Sequence, residues 1–168
     1  MLKRKADPEY AILSLDPGAK FAGVALWYKG AFVDSETVYN MRFDQCHVTS
    51  RLASLMVAWP DLRLLIVSEY PTAGAPGAPQ VRQAANVAIA QFKQSFPRRV
   101  KVVKVVPQTW QSRVTKGLPG KTAKDRSIAR ASLDFKIESS YLEKHTDIAD
   151  ALNILTYARG FVTWSDGK

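Results

Sequence analysis

Residues 10–39 hold three strand-like runs joined by connections too short for a crossover, and this limits how the chain can begin to fold. Tyr10–Leu15 (YAILSL) is an apolar run that stops at Asp16-Pro17-Gly18, a turn signal. Phe21–Tyr28 (FAGVALWY) follows at once, Lys29-Gly30 makes a second turn, and Ala31–Tyr39 reads as a third strand. Parallel neighbours need a connection of roughly a dozen residues or more, so these three form an antiparallel meander. Leu64–Glu69 (LLIVSE) is almost wholly apolar, the pattern of a strand covered on both faces, and Lys101–Val106 supplies a fifth strand.

The intervening segments carry helical spacing. Ser50–Trp59 places Leu52, Leu55 and Met56 on one side and is closed by Pro60; Gln80–Ser95 is Ala-rich. Residues 71–79 (PTAGAPGAP) are a loop. Pro107–Lys116 reads as a short helix, Gly117–Lys121 as a turn and Thr122–Phe135 as a helix. The last helix runs from near His145 to about Tyr157, with Ile148, Ala151, Leu152 and Leu155 as its apolar stripe. The expected fold is α/β: a five-stranded mixed sheet with helices on both faces. Residues 1–9 are polar and expected to fray. With no repeat and no boundary signal, residues 1–168 read as one domain, long enough to bury a core without disulfide or metal staples.

Cys46 is the only cysteine, which excludes an internal disulfide framework and a thiolate zinc cluster within the chain. No apolar run approaches the roughly 18 residues of a membrane span, and Lys3-Arg4-Lys5 leads into polar residues, so a soluble intracellular protein is expected. The net charge of +9 points to an anionic partner, nucleic acid before membrane. Its distribution says more. From Arg98 to Arg130 there are ten basic residues and one acid, Asp125, so the whole excess lies in one contiguous segment. Trp110, Gly117, Pro119 and Gly120 interrupt it, which favours a phosphate-contacting surface over a plain charged helix face.

Four acids stand where a structural role explains them poorly. Asp16 ends the first strand and Glu69 the fourth; Asp147 and Asp150 are three apart on one face of the final helix. With the first and fourth strands adjacent, Asp16 and Glu69 would meet at one rim, and a helix laid across it could add the other two. Four carboxylates in one pocket repel unless cations fill it, and hard divalent ions with oxygen ligands suit them. Two such ions about 4 Å apart can clamp the attacking and leaving oxygens of a phosphodiester displacement.

Ile12–Leu26 (ILSLDPGAKFAGVAL) resembles the opening of the RuvC-type Holliday-junction resolvases, whose first strand ends in a metal-binding Asp followed by Pro-Gly and a later glycine, here Gly23. LLIVSE is similar to the family's strand ending in its catalytic Glu, QAANVAIA to the helix after it, and HTDIADALNILTYA to its closing D-x-x-D-A-L motif. The resemblance covers nearly the whole chain. It implies a ribonuclease-H-like fold and Asp16, Glu69, Asp147 and Asp150 as ligands for two Mg²⁺, with Mn²⁺ able to substitute. It further implies Lys124 near the scissile phosphate, with Arg113 where the family carries another lysine. Branched DNA, a four-way junction foremost, would be the substrate. A homodimer would make paired symmetric nicks, with Gln80–Ser95 as the sequence's only interface candidate. The setting would be the cytoplasm of a bacterial cell or a phage-infected host. Lys116, Lys121 and Arg126 join Arg113 and Lys124 as expected DNA contacts, and Tyr70 is a stacking candidate. Where many relatives have an aromatic three residues after the Glu, this chain has Thr72. Flap- or fork-cutting nucleases of the same fold, and a non-catalytic nucleic-acid-binding domain, remain alternatives.

Other signals carry less. Gly120-Lys121-Thr122 lacks the glycine a phosphate-binding loop needs at residue 115, which is Thr. His47 and His145 have no ligand partners at usual spacing, and His145 reads as a helix-start residue. No serine or cysteine stands beside a plausible base. Trp27, Trp59, Trp110 and Trp164 read as core or interface residues rather than base-stacking platforms, with Trp110 the leading exception.

Overall fold

The computed structural model describes residues 9–161. Of residues 1–9, expected to fray, residues 1–8 lie outside them, as does Trp164, while the Glu9 carbonyl accepts from the Arg63 N–H at 2.9 Å.

Five strands form one mixed sheet in the order β3-β2-β1-β4-β5. β1 (Tyr10–Asp16), β2 (Phe21–Tyr28) and β3 (Ala31–Tyr39) make the expected antiparallel meander. At the β2–β3 turn Lys29 and Gly30 both adopt positive φ, 50° and 77°, the geometry that lets a two-residue hairpin follow the strand twist. β4 (Arg63–Glu69) lies parallel to β1, and β5 (Val100–Val105) parallel to β4. The central strands are apolar at consecutive positions because both faces are covered: Ala11–Leu15 and Leu64–Val67 are buried without alternation.

The two faces bury separate cores. On one, Leu13, Leu15, Val24, Leu26, Leu64 and Ile66 meet α1 (His47–Ala58) through Leu52 and Met56 and α2 (Ala78–Ser95) through Ala88, Ile89 and Phe92. On the other, Ile12, Ala25, Trp27, Leu65 and Val67 meet α3 (Pro107–Val114), α4 (Ala123–Phe135) and α6 (Thr146–Ala158), with α5 (Ser139–Lys144) contributing Leu142. The sequence gives no sign of α5, which is too short to show a period. Within the Ala-rich stretch Gln80–Ser95 offered as an interface, Ala84, Ala85 and Ala88 are fully buried inside the chain.

α6 is the helix that positions the site. It lies over β1 and β2, and Ser14, fully buried mid-strand, donates its hydroxyl to the Ala151 carbonyl at 2.7 Å. Gly23 sets the approach distance: a Cβ there would stand 1.9 Å from the Asp147 carbonyl oxygen. The glycine is required because the helix backbone rests directly on the strand. α4 is fixed to α6 by Asn153, whose side-chain amide donates to the Ser127 carbonyl and hydroxyl oxygens, both at 2.8 Å. Among the described residues no helix is long and apolar enough to cross a membrane.

Candidate active site

β1 and β4 are parallel neighbours, so their C-terminal residues Asp16 and Glu69 emerge at the same end of the sheet. This end is where open α/β sheets present their ligands. Ile12, Ser14 and Asp16 share one face by alternation, as do Leu65, Val67 and Glu69, and it is the face α6 covers. The N-terminal turn of α6 brings Asp147 and, one turn on, Asp150 to the same rim. All four predicted acids thus come together.

Their electrostatics express the crowding. Burial raises the Asp16 carboxyl well above the usual range, and the negative charges of Asp150, Glu69 and Asp147 add to the effect. Burial pushes Glu69 up to about 7; a hydrogen bond from Trp110 works against this, and Asp150 reinforces it. Asp150 is raised by burial, opposed by the Ser127 hydroxyl, raised further by Asp147 and lowered by Lys124. Lys124 sits in the first turn of α4, close enough to act on Asp150, as its predicted role needs.

Three side chains that sequence reasoning missed orient the acids. Trp110 Nε1 donates to Glu69 Oε2 at 2.8 Å, and Thr37 Oγ1 donates to Asp147 Oδ2 at 2.6 Å. Ser127 donates to Asp150 Oδ1. Because Asn153 already donates into the Ser127 oxygen, the Ser127 proton is left to point at Asp150. Trp110 is fully buried, so it is no stacking platform; it is the partner that holds Glu69. Of the three, only Ser127 had a sequence signal, standing one helical turn after Lys124.

The donor set suits hard divalent cations, since all four groups are carboxylates and at least two resist ionising beside one another. Among the described residues no three His, Cys, Asp or Glu side chains are yet drawn around one point as a finished ligand set. Three of the acids are turned instead onto Trp110, Thr37 and Ser127.

The basic segment is contiguous in sequence but divided in space. Arg98 and Arg99 precede β5, at the end of the sheet opposite the acids. Arg99 caps α1, donating to the Met56, Trp59 and Leu62 carbonyls at 2.8–3.0 Å. Arg130 is paired with Asp134 at 2.7 Å. Arg98 and Arg99 do not belong to a surface beside the acids, because chain proximity does not carry through a strand that crosses the whole sheet; Arg130 lies beyond that strand, in α4, and its charge is met by Asp134. Lys116 and Arg126 line a cavity of about 580 Å³ between α3 and α4, with Gln108, Gln111 and Ser112. Lys121 is exposed in the turn before α4. Asp125, the single acid of the segment, closes a capping box with Thr122 at the start of α4, which accounts for its presence.

Arg113 stands over the Tyr157 ring, 5.6 Å from its centroid, in the last turn of α6. That is seven residues, or about 10 Å of helix, beyond Asp150, so the structure does not bring it beside the acids. Tyr70 is flanked by Lys104 Nζ at 4.1 Å and the Arg82 guanidinium at 4.9 Å from its ring centroid, so cations hold the ring. His145 is the residue immediately before α6, and its ring packs on Tyr141 at 4.5 Å.

No family model matches the sequence, and no curated protein matches it significantly. Solved structures do match in fold. RuvC of Thermus thermophilus in complex with a Holliday junction substrate superposes with a TM-score of 0.53 at 17% identity, over 89% of this chain and 94% of that one. A second structure of Thermus thermophilus RuvC gives 0.52 at 18% identity, over 89% and 95%. The fold is therefore the RuvC-type ribonuclease-H-like one.

Proposed function

We propose that this chain, built on the RuvC-type fold, is a divalent-metal-dependent endonuclease that resolves four-way DNA junctions by paired symmetric nicks. The observation that carries the reading is the meeting of Asp16, Glu69, Asp147 and Asp150 at the C-terminal rim of β1 and β4, with Lys124 beside Asp150. Those four would hold the Mg²⁺ ions the resemblance implies, or Mn²⁺ in their place. Bound there, such ions supply Lewis-acid polarisation of the phosphoryl group and a lowered pKa for the attacking water. The RuvC structure that shares this fold was solved with a Holliday junction substrate, which supports branched DNA as the partner.

The chain's own residues do the positioning. Trp110, Thr37 and Ser127 each hold one oxygen of a carboxylate, which would leave the other oxygen of that group to turn toward a metal as it binds. Lys124 offsets negative charge building on the phosphate. Lys116, Lys121 and Arg126 hold the backbone through charge. A four-way junction has approximate two-fold symmetry, and a homodimer presenting two such sites would cut opposed strands. The protein would act in the cytoplasm of a bacterial cell or a phage-infected host. The domain it uses is the whole chain, 1–168.

The test is incubation of a synthetic four-way junction with Mg²⁺, mapping both nicks. Symmetric nicks are expected. Asp16→Asn should abolish them while junction binding persists, because the acids hold metal and the basic residues hold phosphate. Full activity in that variant or in EDTA would remove the mechanism. Preference for flaps or forks would keep the chemistry but change the substrate, and binding without any nicking would leave a non-catalytic domain.

A further inference from the structure

Phe21 and Tyr39 are an exposed aromatic pair beyond the strand row that carries the acids. They face each other across β2 and β3 as register partners, edge to face, with ring centroids 5.4 Å apart. Each leaves 55% of its surface in solvent, unusual for two large rings already in mutual contact. Alternation puts them on the acid-bearing face: Phe21 is two residues from Gly23, which pairs with Asp16, and Tyr39 is two residues from Thr37, which holds Asp147. They stand about 7 Å past the row that contains the site. The rim around them is anchored, since Asn40 N–H donates to the Lys20 carbonyl at 2.9 Å, and Gly18 lets the chain pass against the Phe21 backbone. Lys20, next to Phe21, is exposed and has no ion pair among the described residues.

From this geometry we infer that Phe21 and Tyr39 form a stacking platform for an unpaired base of the DNA bound at the acidic rim, with Lys20 contacting the adjoining phosphate. The inference rests on the nucleic-acid reading above. An aromatic ring takes any base by its face, whereas a fully paired duplex exposes no base face except at its ends. The platform therefore rewards DNA whose bases are unstacked, as at a branch point, and is indifferent to continuous duplex. The two aromatics that the sequence offered for stacking are unavailable for this purpose: Trp110 is buried on Glu69, and Tyr70 is held by Lys104 and Arg82. Continuity with the acid rim and the free cation at Lys20 together select a nucleotide over an apolar protein surface.

The test is equilibrium binding in EDTA, so that it does not depend on cleavage. The probes are a four-way junction carrying 2-aminopurine at the branch and a linear duplex of the same length. Stacking on the rings should quench the 2-aminopurine emission left unstacked at the branch. Phe21→Ala with Tyr39→Ala should abolish that quenching and weaken junction binding about tenfold, leaving duplex affinity unchanged. Tyr39→Phe, which keeps the ring, should behave as the parent. Equal quenching in the double alanine variant, or equal loss on junction and duplex, overturns the inference, and so does a parent protein that binds neither probe. A parent that binds and quenches but never nicks with Mg²⁺ would sink the nuclease reading and leave the platform standing.

Discussion

Gly23→Ala tests whether the close seat of α6 on β2 sets the site, and it does so without touching a carboxylate. The added Cβ would lie 1.9 Å from the Asp147 carbonyl oxygen, 2.4 Å from its carbonyl carbon and 3.1 Å from the Ala151 Cβ. An unstrained carbon–oxygen contact is about 3.3 Å, so something must move by roughly 1.4 Å. β2 is paired on both edges, and α6 is held to β1 by Ser14, so the helix's N-terminal turn is the part that can give. That turn carries Asp147. Overpacking of this kind costs about 1–3 kcal/mol, or roughly 3–10 °C in Tm for a chain of this size. A misplacement of about 1 Å in a catalytic group can cost on the order of 10²-fold in rate. The expected outcome is a modest fall in Tm with a loss of nicking near 100-fold at 25 °C, far below the melt. Local propensity argues the other way, since Ala is ordinarily better than Gly inside an element, by about 0.4–1 kcal/mol where the backbone accepts it. An unchanged or raised Tm with full nicking would therefore refute the close approach. A lowered Tm with unchanged nicking would refute the role assigned to Asp147.

Two further outcomes follow from the charges. Glu69 keeps its proton up to about pH 7 when folded, against an ordinary 4.5, so the folded state binds more protons across that interval and metal-free stability falls as pH rises through it. Thermal melts in EDTA from pH 4.5 to 8 should show it, Glu69→Gln should lessen it while the raised Asp16 and Asp150 carboxyls keep part of it, and a Tm rising over that range would contradict it. Lys121→Ala with Lys124→Ala should weaken junction binding and lower the slope of log affinity against log salt by about 2, read by fluorescence anisotropy across a salt series; an unaltered slope would remove both from the phosphate contacts.

What could be read from the chain was what local pattern determines. Asp16 and Glu69 were legible because each ends an apolar run, and strand direction alone then places them at one rim. Asp147 and Asp150 were legible because a spacing of three fixes a shared helix face. Thr37 was not, since its contact with Asp147 spans 110 residues and exists only through the β2–β3 register. The basic segment is legible only in part for the opposite reason. Neighbours in sequence are not all neighbours in space, since β5 carries the chain from Arg99, beneath α1, to Lys104 beside Tyr70. Gly23 was matched by resemblance, but its reason, a helix backbone lying on the strand, belongs to packing.

The bond from Trp110 to Glu69 has a use of its own. An indole whose N–H is held by a carboxylate changes its emission when that carboxylate takes up a proton or is drawn toward a cation. Trp110 is wholly buried, so bulk solvent does not mask the effect, whereas Trp59 is exposed and Trp27 lies under the Arg159 guanidinium. The protein thus carries a native optical gauge wired to one acid of its site. Titrating Mg²⁺ or pH against intrinsic fluorescence would report occupancy of that acid with no DNA present and no label attached.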